Sequence, residues 1–255
     1  MTVAGGLVAG DTSSSATYVL DLATGRATTS GHLPVAVHDT AGAVVHGRGL
    51  VLGGGNAGEQ AVVQSRGPGG WRATGRLPSP RSDLTAVSSG GRVLVLGGYD
   101  GTSPALADVL VTRDGRRWRT FAQLPVPVRY AASAVAGGAV WSFGGERNGA
   151  MTDVVQRVDL RTGRAAVVGH LPQPLGHASA VPLAGRVLLV GGRLTTDRLT
   201  ARMWWFDKTT RRLTPAGRLG RPLADSAVVS RGSTAYLVGG ETPVLSDRVL
   251  RLRWR

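Results

Sequence analysis

The chain has 255 residues, a net charge of +14 and no cysteine. Disulfide and thiolate chemistry are therefore excluded, and no apolar run approaches the roughly 20 residues that span a bilayer. A hydrophobic share of 42% argues against disorder, and 38 glycines favour many short strands joined by tight turns.

The first strand ends at Gly5-Gly6, and the same ending recurs at Gly53-Gly54, Gly97-Gly98, Gly144-Gly145, Gly191-Gly192 and Gly239-Gly240. The spacings are 48, 44, 47, 47 and 48 residues. A second marker runs in phase: Leu33-Pro34, Leu77-Pro78, Leu124-Pro125 and Leu171-Pro172, with Leu219-Gly220 in fifth place. Two independent markers with one period predict six repeats of a single all-β domain over 1–255. Their approximate limits are 1–34, 35–78, 79–125, 126–172, 173–220 and 221–255.

Each repeat reads as four strands. Strand A follows Leu-Pro and is small and apolar, as in 130–137. Strand B is the run before Gly-Gly, as in 92–97. Strand C follows a variable loop, as in 153–159. A tight turn comes next, written Asp21-Leu-Ala-Thr-Gly25 and Asp159-Leu-Arg-Thr-Gly163. An opening Asp and a positive-φ Gly suit a short hairpin with a bulge. Strand D carries Trp71 or Trp118 in two repeats. The first repeat supplies B, C and D but no A; the last supplies A, B and C but no clear D. One segment upstream of Met1 would provide both missing strands, and it is expected to exist. It could also hold a secretion signal, since 1–6 has no basic and apolar leader pattern. The compartment is thus secreted or envelope with such a signal and cytoplasmic without it.

This pattern resembles the kelch repeat, whose period is about 50 residues. The shared features are Gly-Gly, the Asp-x-x-Thr-Gly turn, the Trp of strand D and Leu-Pro-x-Pro. The aromatic residues usual after Gly-Gly are mostly missing, and Arg26, Arg164 and Arg212 stand near where Trp is usual. The resemblance implies a six-bladed β-propeller with incomplete first and last blades. Galactose-oxidase-type kelch enzymes need a Cys bonded to a Tyr, so that copper radical chemistry is unavailable here. A sialic-acid mutarotase shares the six-bladed fold and needs only an acid/base pair at the channel mouth.

Nothing else in the sequence marks a catalyst. Gly-x-Ser-x-Gly, His-Glu-x-x-His and the Walker loop are absent. No catalytic residue, cofactor or metal is assigned. The five His are scattered, and His32 and His170 are repeat equivalents.

In kelch propellers, strand A starts and B–C loops share one face. The position five residues beyond the Leu-Pro proline reads Asp39, Asp83, Tyr130, His177 and Asp225. With Glu146 and Glu241 from B–C loops, these form the expected ligand site at the channel mouth. Either Glu would be the acid/base of a mutarotase-like enzyme, with His177 or Arg147 as partner and a raised pKa. On this assignment the mouth face carries twelve acids and eight Arg, including Arg76, Arg81 and Arg129; the opposite face carries twelve Arg and Lys208 against four Asp. Its Arg113, Arg116, Arg117, Arg161, Arg164, Arg211 and Arg212 could meet an anionic polymer or membrane surface. A GC-rich coding sequence would also explain scattered Arg, and no specific nucleic acid is expected. The leading function is a non-enzymatic binding module for an unknown protein or carbohydrate. The alternative is a sugar epimerase or mutarotase.

Overall fold

The computed structural model describes residues 1–242 and 244–254. Every regular element among them is a strand, and the fold is an all-β six-bladed β-propeller, as the repeats predict. Two compact units divide the chain, Met1–Phe121 and Ala122–Arg255.

In the first unit, a three-stranded antiparallel sheet supplies B, C and D of the first repeat (Thr2–Ala4, Ala16–Leu20, Ala27–His32). The complete second repeat follows: Ala41–Val45, Arg48–Leu52, Val62–Gly67 and Gly70–Arg76. Strands A to C of the third are Thr85–Ser89, Arg92–Leu96 and Asp108–Thr112, and its strand D, Arg119–Gln123, runs into the second unit. That unit holds a four-stranded sheet (Ala132–Ala136, Ala139–Phe143, Val154–Asp159, Ala165–His170) and another (Ser179–Leu183, Arg186–Val190, Arg202–Asp207, Arg212–Arg218). Its third sheet has strands A, B and C only: Ala227–Arg231, Thr234–Val238 and Val249–Arg253.

Period-two alternation explains how the sheets stack. In strand B of the fifth repeat, Val187 and Leu189 pack with Trp141, Phe143 and Phe206, while Leu188 and Val190 pack with Leu223, Ala235 and Leu237. One strand thus feeds two cores, which is why strand B reads as a continuous apolar run. Phe206 meets Trp141 and Phe143 with ring centroids 4.8 and 4.9 Å apart. Each such ring contributes roughly 1.5–3 kcal/mol on burial.

The two sequence markers are parts of one joint. In the second repeat Leu77 N–H donates to Ala61 O, Arg81 N–H to Gln60 O, and Gly54 N–H to Arg81 O. The fourth repeat does the same with Leu171, Leu175 and Gly145 on Asp153, Thr152 and Leu175. The carbonyl of the link leaves no room for a side chain: a Cβ on Gly144 would overlap the Leu175 oxygen, and Gly144 has φ +58°. Buried amides add a clamp. Gln64 bonds both the N–H and the carbonyl of Val35 (2.8 and 3.0 Å), and Gln156 does the same for Val126 (2.9 and 3.0 Å).

The Asp turns form as expected. Gly25 and Gly163 have φ of 75° and 74°, and Arg211 stands at the matching place with φ 57°. Bonds from turn backbone N–H groups hold the carboxyls of Asp21, Asp159 and Asp207 below their ordinary range.

Arg81 corrects the charge assignment. It is 1% exposed rather than on the mouth face, and it grips Asp108 through two bonds of 2.8 and 2.9 Å.

Candidate functional site

The predicted column is built by backbone conformation. Tyr130, His177 and Asp225 have φ of 52°, 56° and 55°, the left-handed region that such residues rarely enter. They therefore stand before strand A rather than opening it: strand A of the fourth repeat begins at Ala132, not Tyr130. Consecutive members are tied main chain to main chain. His177 N–H donates to Tyr130 O (2.9 Å) and Asp225 N–H to His177 O (3.0 Å). In the first unit Asp39 and Asp83 adopt the same conformation (46° and 58°), and Asp83 N–H donates to Asp39 O at 3.0 Å.

A second column meets this one. The residue before each column member pairs with the residue following Gly-Gly in the same repeat: Arg129 with Glu146, Gly176 with Arg193, Ala224 with Glu241. Cross-strand neighbours of this kind have side chains in reach.

The result in the second unit is a chain of charges across three repeats. Arg129 forms an ion pair with Glu146. Glu146 Oε2 lies 3.4 Å from His177 Nε2. His177 Nδ1 lies 2.6 Å from Asp225 Oδ1. Arg193 Nε is 3.6 Å from Asp225 Oδ2, and its terminal nitrogen pairs with Glu241. Both carboxylates can accept from His177 at once only if the ring is protonated on both nitrogens. Tyr130 stacks on the imidazole at 3.8 Å and 21°, with the Arg129 guanidinium 5.5 Å from the Tyr130 ring centroid. Stacking and flanking carboxylates fix the ring from its face and both edges.

Burial pushes the Glu146 carboxyl up, but the Arg129 hydrogen bond and charge, with His177, outweigh it and hold the group below its ordinary 4.5. This is opposite to the raised pKa expected of a proton-donating Glu146. The sign fixes a pH dependence. A carboxyl with a depressed folded pKa contributes stability above its unfolded pKa and loses it as pH falls through the folded value. The melting temperature of the native protein should therefore fall more between pH 6 and pH 3 than that of Glu146→Gln. Equal falls would mean that the Arg129 pair contributes nothing.

Tyr130, Glu146, His177 and Asp225 thus come together, and Glu241 joins through Arg193. Arg147, expected as a partner of Glu146, is exposed on the short strand Glu146–Arg147; Arg129 fills that role. Arg129 and Arg193 were missed as site residues. Reading the residue after each Gly-Gly, Glu146, Arg193 and Glu241 in successive repeats, exposes the alternation of charge.

Residues 80–111 match the kelch motif family. The fold also matches the solved structure of YjhT with a TM-score of 0.83 at 15% identity, covering 99% of this chain and 95% of that one. No curated protein matches.

Proposed function

We propose, from the premise that the chain is a kelch-repeat β-propeller and so carries a protein-interaction fold, that it is a non-enzymatic binding module. We place its ligand site at the charge chain of the second unit. The observation that supports this is the run Arg129–Glu146–His177–Asp225–Arg193–Glu241, with His177 and Asp225 set by left-handed backbone, which offers donors and acceptors in alternation. Such a strip suits a polar ligand that exchanges its own groups for these ion pairs: a peptide of mixed charge, or a hydroxyl-rich sugar. Asp39 and Asp83 belong to the same proposal for the first unit.

A second reading rests on His177. A base lying between two carboxylates is what a sugar epimerase or mutarotase would need. Against it, Arg129 keeps Glu146 ionised, so Glu146 is a poor proton donor.

Labelled full-length protein on peptide and glycan arrays tests both. The leading hit should lose at least tenfold in affinity for His177→Ala and Asp225→Ala. It should keep its affinity when Arg161, Arg164, Arg211 and Arg212 are replaced together; with Arg113, Arg116 and Arg117, these exposed turn residues are the proposed contact for anionic surfaces. The opposite pattern would move the site to those turns. Faster anomer exchange of a bound sugar, seen by NMR and lost in His177→Ala, would establish the enzyme.

A further inference from the structure

The turn face of the second unit carries a cavity that the charge chain does not use. It holds about 350 Å³, within the ordinary range of small-molecule sites. The A–B turns of the fourth, fifth and sixth repeats meet there with the C–D turn of the fifth. Its wall is apolar: Val135 and Ala136 end one strand A, and Pro182 and Leu183 end the next. Arg186 and Lys208 also line it, and no Asp or Glu does. His177 precedes the strand Ser179–Leu183 and this cavity follows it, so the two sites lie at opposite ends of one strand.

Both cations are held in place. The turn residues Ala184 and Gly185 are left-handed (φ 50° and 74°), the shape of a two-residue hairpin, and they set Arg186 opposite Leu183. The Arg186 guanidinium lies 4.2 Å from the Trp205 ring centroid. At the second place of the Asp turn the first and fourth repeats carry Leu22 and Leu160, whereas the fifth carries Lys208, the only lysine of the chain. Its stem crosses Gly137, where a Cβ would meet Lys208 Cδ and Cε at 2.9 and 3.1 Å. Its ammonium donates to Gly185 O at 3.2 Å, which uses one of three donors. The acid beside it in sequence, Asp207, accepts from the turn N–H groups of Thr209 and Thr210 at 2.7 and 2.9 Å. Among the described residues no carboxylate forms an ion pair with Lys208 or Arg186.

We propose that this cavity binds a small carboxylic acid with an apolar body. The carboxylate takes the remaining donors of Lys208, with the Arg186 charge beside it, and the apolar body covers Val135, Ala136 and Pro182. Each part of the site rejects a different competitor. A cation meets two like charges, and a neutral molecule leaves the ammonium without its counter-ion. An acid with no apolar body leaves the wall in water.

The probe is phenylacetate, titrated into the full chain by calorimetry. It should bind. Phenylacetamide, of the same shape without the charge, should bind roughly tenfold more weakly, the worth of one charge-assisted hydrogen bond. Acetate should be weaker as well, since it cannot cover the wall. Lys208→Met keeps a stem over Gly137 and should lose about tenfold in affinity at an unchanged melting temperature. Lys208→Arg, which restores the charge, should recover most of that loss. Pro182→Glu, at an exposed position, should abolish binding by setting an acid on the wall. Arg26→Met removes an exposed cation from the first unit and should bind as the native protein does, which separates a site from a response to net charge. The proposal is overturned if phenylacetate fails to bind at millimolar concentration, if phenylacetamide or acetate binds equally well, or if Lys208→Met keeps full affinity. Affinity lost in His177→Ala and kept in Lys208→Met overturns it too, and moves the ligand to the charge chain.

Discussion

Arg81→Ala is expected to cost about 3–5 kcal/mol, because it leaves Asp108 without its partner beside a buried site. At roughly 2–4 °C per kcal/mol for a chain of this size, the melting temperature should drop by about 6–20 °C. The guanidinium also bonds Ser79 Oγ at 2.7 Å and Gly97 O at 3.2 Å, so two more polar groups lose a donor. The companion experiment replaces both ions. Other repeats manage without them: Val37 with Val62, and Val128 with Val154, stand at the matching places. Arg81→Val with Asp108→Val should therefore recover most of the loss, since an apolar pair of similar volume is often as stable as a buried ion pair. A double variant no better than Arg81→Ala would show that the pair contributes to stability in its own right. Calorimetry on the native protein and these two variants decides.

Gly144→Ala should be nearly as damaging. The left-handed backbone costs an L-residue about 1–2 kcal/mol. The new methyl would also displace the Leu175 carbonyl, which accepts from Gly145 N–H at 2.9 Å. Loss of that buried bond adds about 1–3 kcal/mol. Gly169→Ala is the control: its Cβ would find open space, φ is not positive, and the change should stay within about 0.5 kcal/mol. Similar urea midpoints for the two variants would mean that the Gly-Gly marker reflects something other than crowding.

The repeat was legible because a link and its socket must both be present wherever sheets join. Gly-Gly and Leu-Pro are the two halves of one joint, so they recur in phase. The column was legible for the same reason, as a fixed offset from Pro. What the offset hid was depth and pairing. Arg81 stands two residues before its column residue and Arg129 one before, and that single-residue difference puts one in the core and the other on Glu146. The sign of the Glu146 shift was hidden too. Burial alone predicts a raised pKa, and the groups that reverse it are Arg129 in the same repeat and His177 in the next.

The left-handed column separates position from identity. Asp39, Asp83, Tyr130, His177 and Asp225 share one backbone shape, and main-chain bonds tie Asp83 to Asp39, His177 to Tyr130 and Asp225 to His177. An acid, a phenol and an imidazole are thus presented on the same mounting, and none is needed to build it. At the proposed ligand site, exchanging one for another would alter what is recognised while leaving the architecture standing.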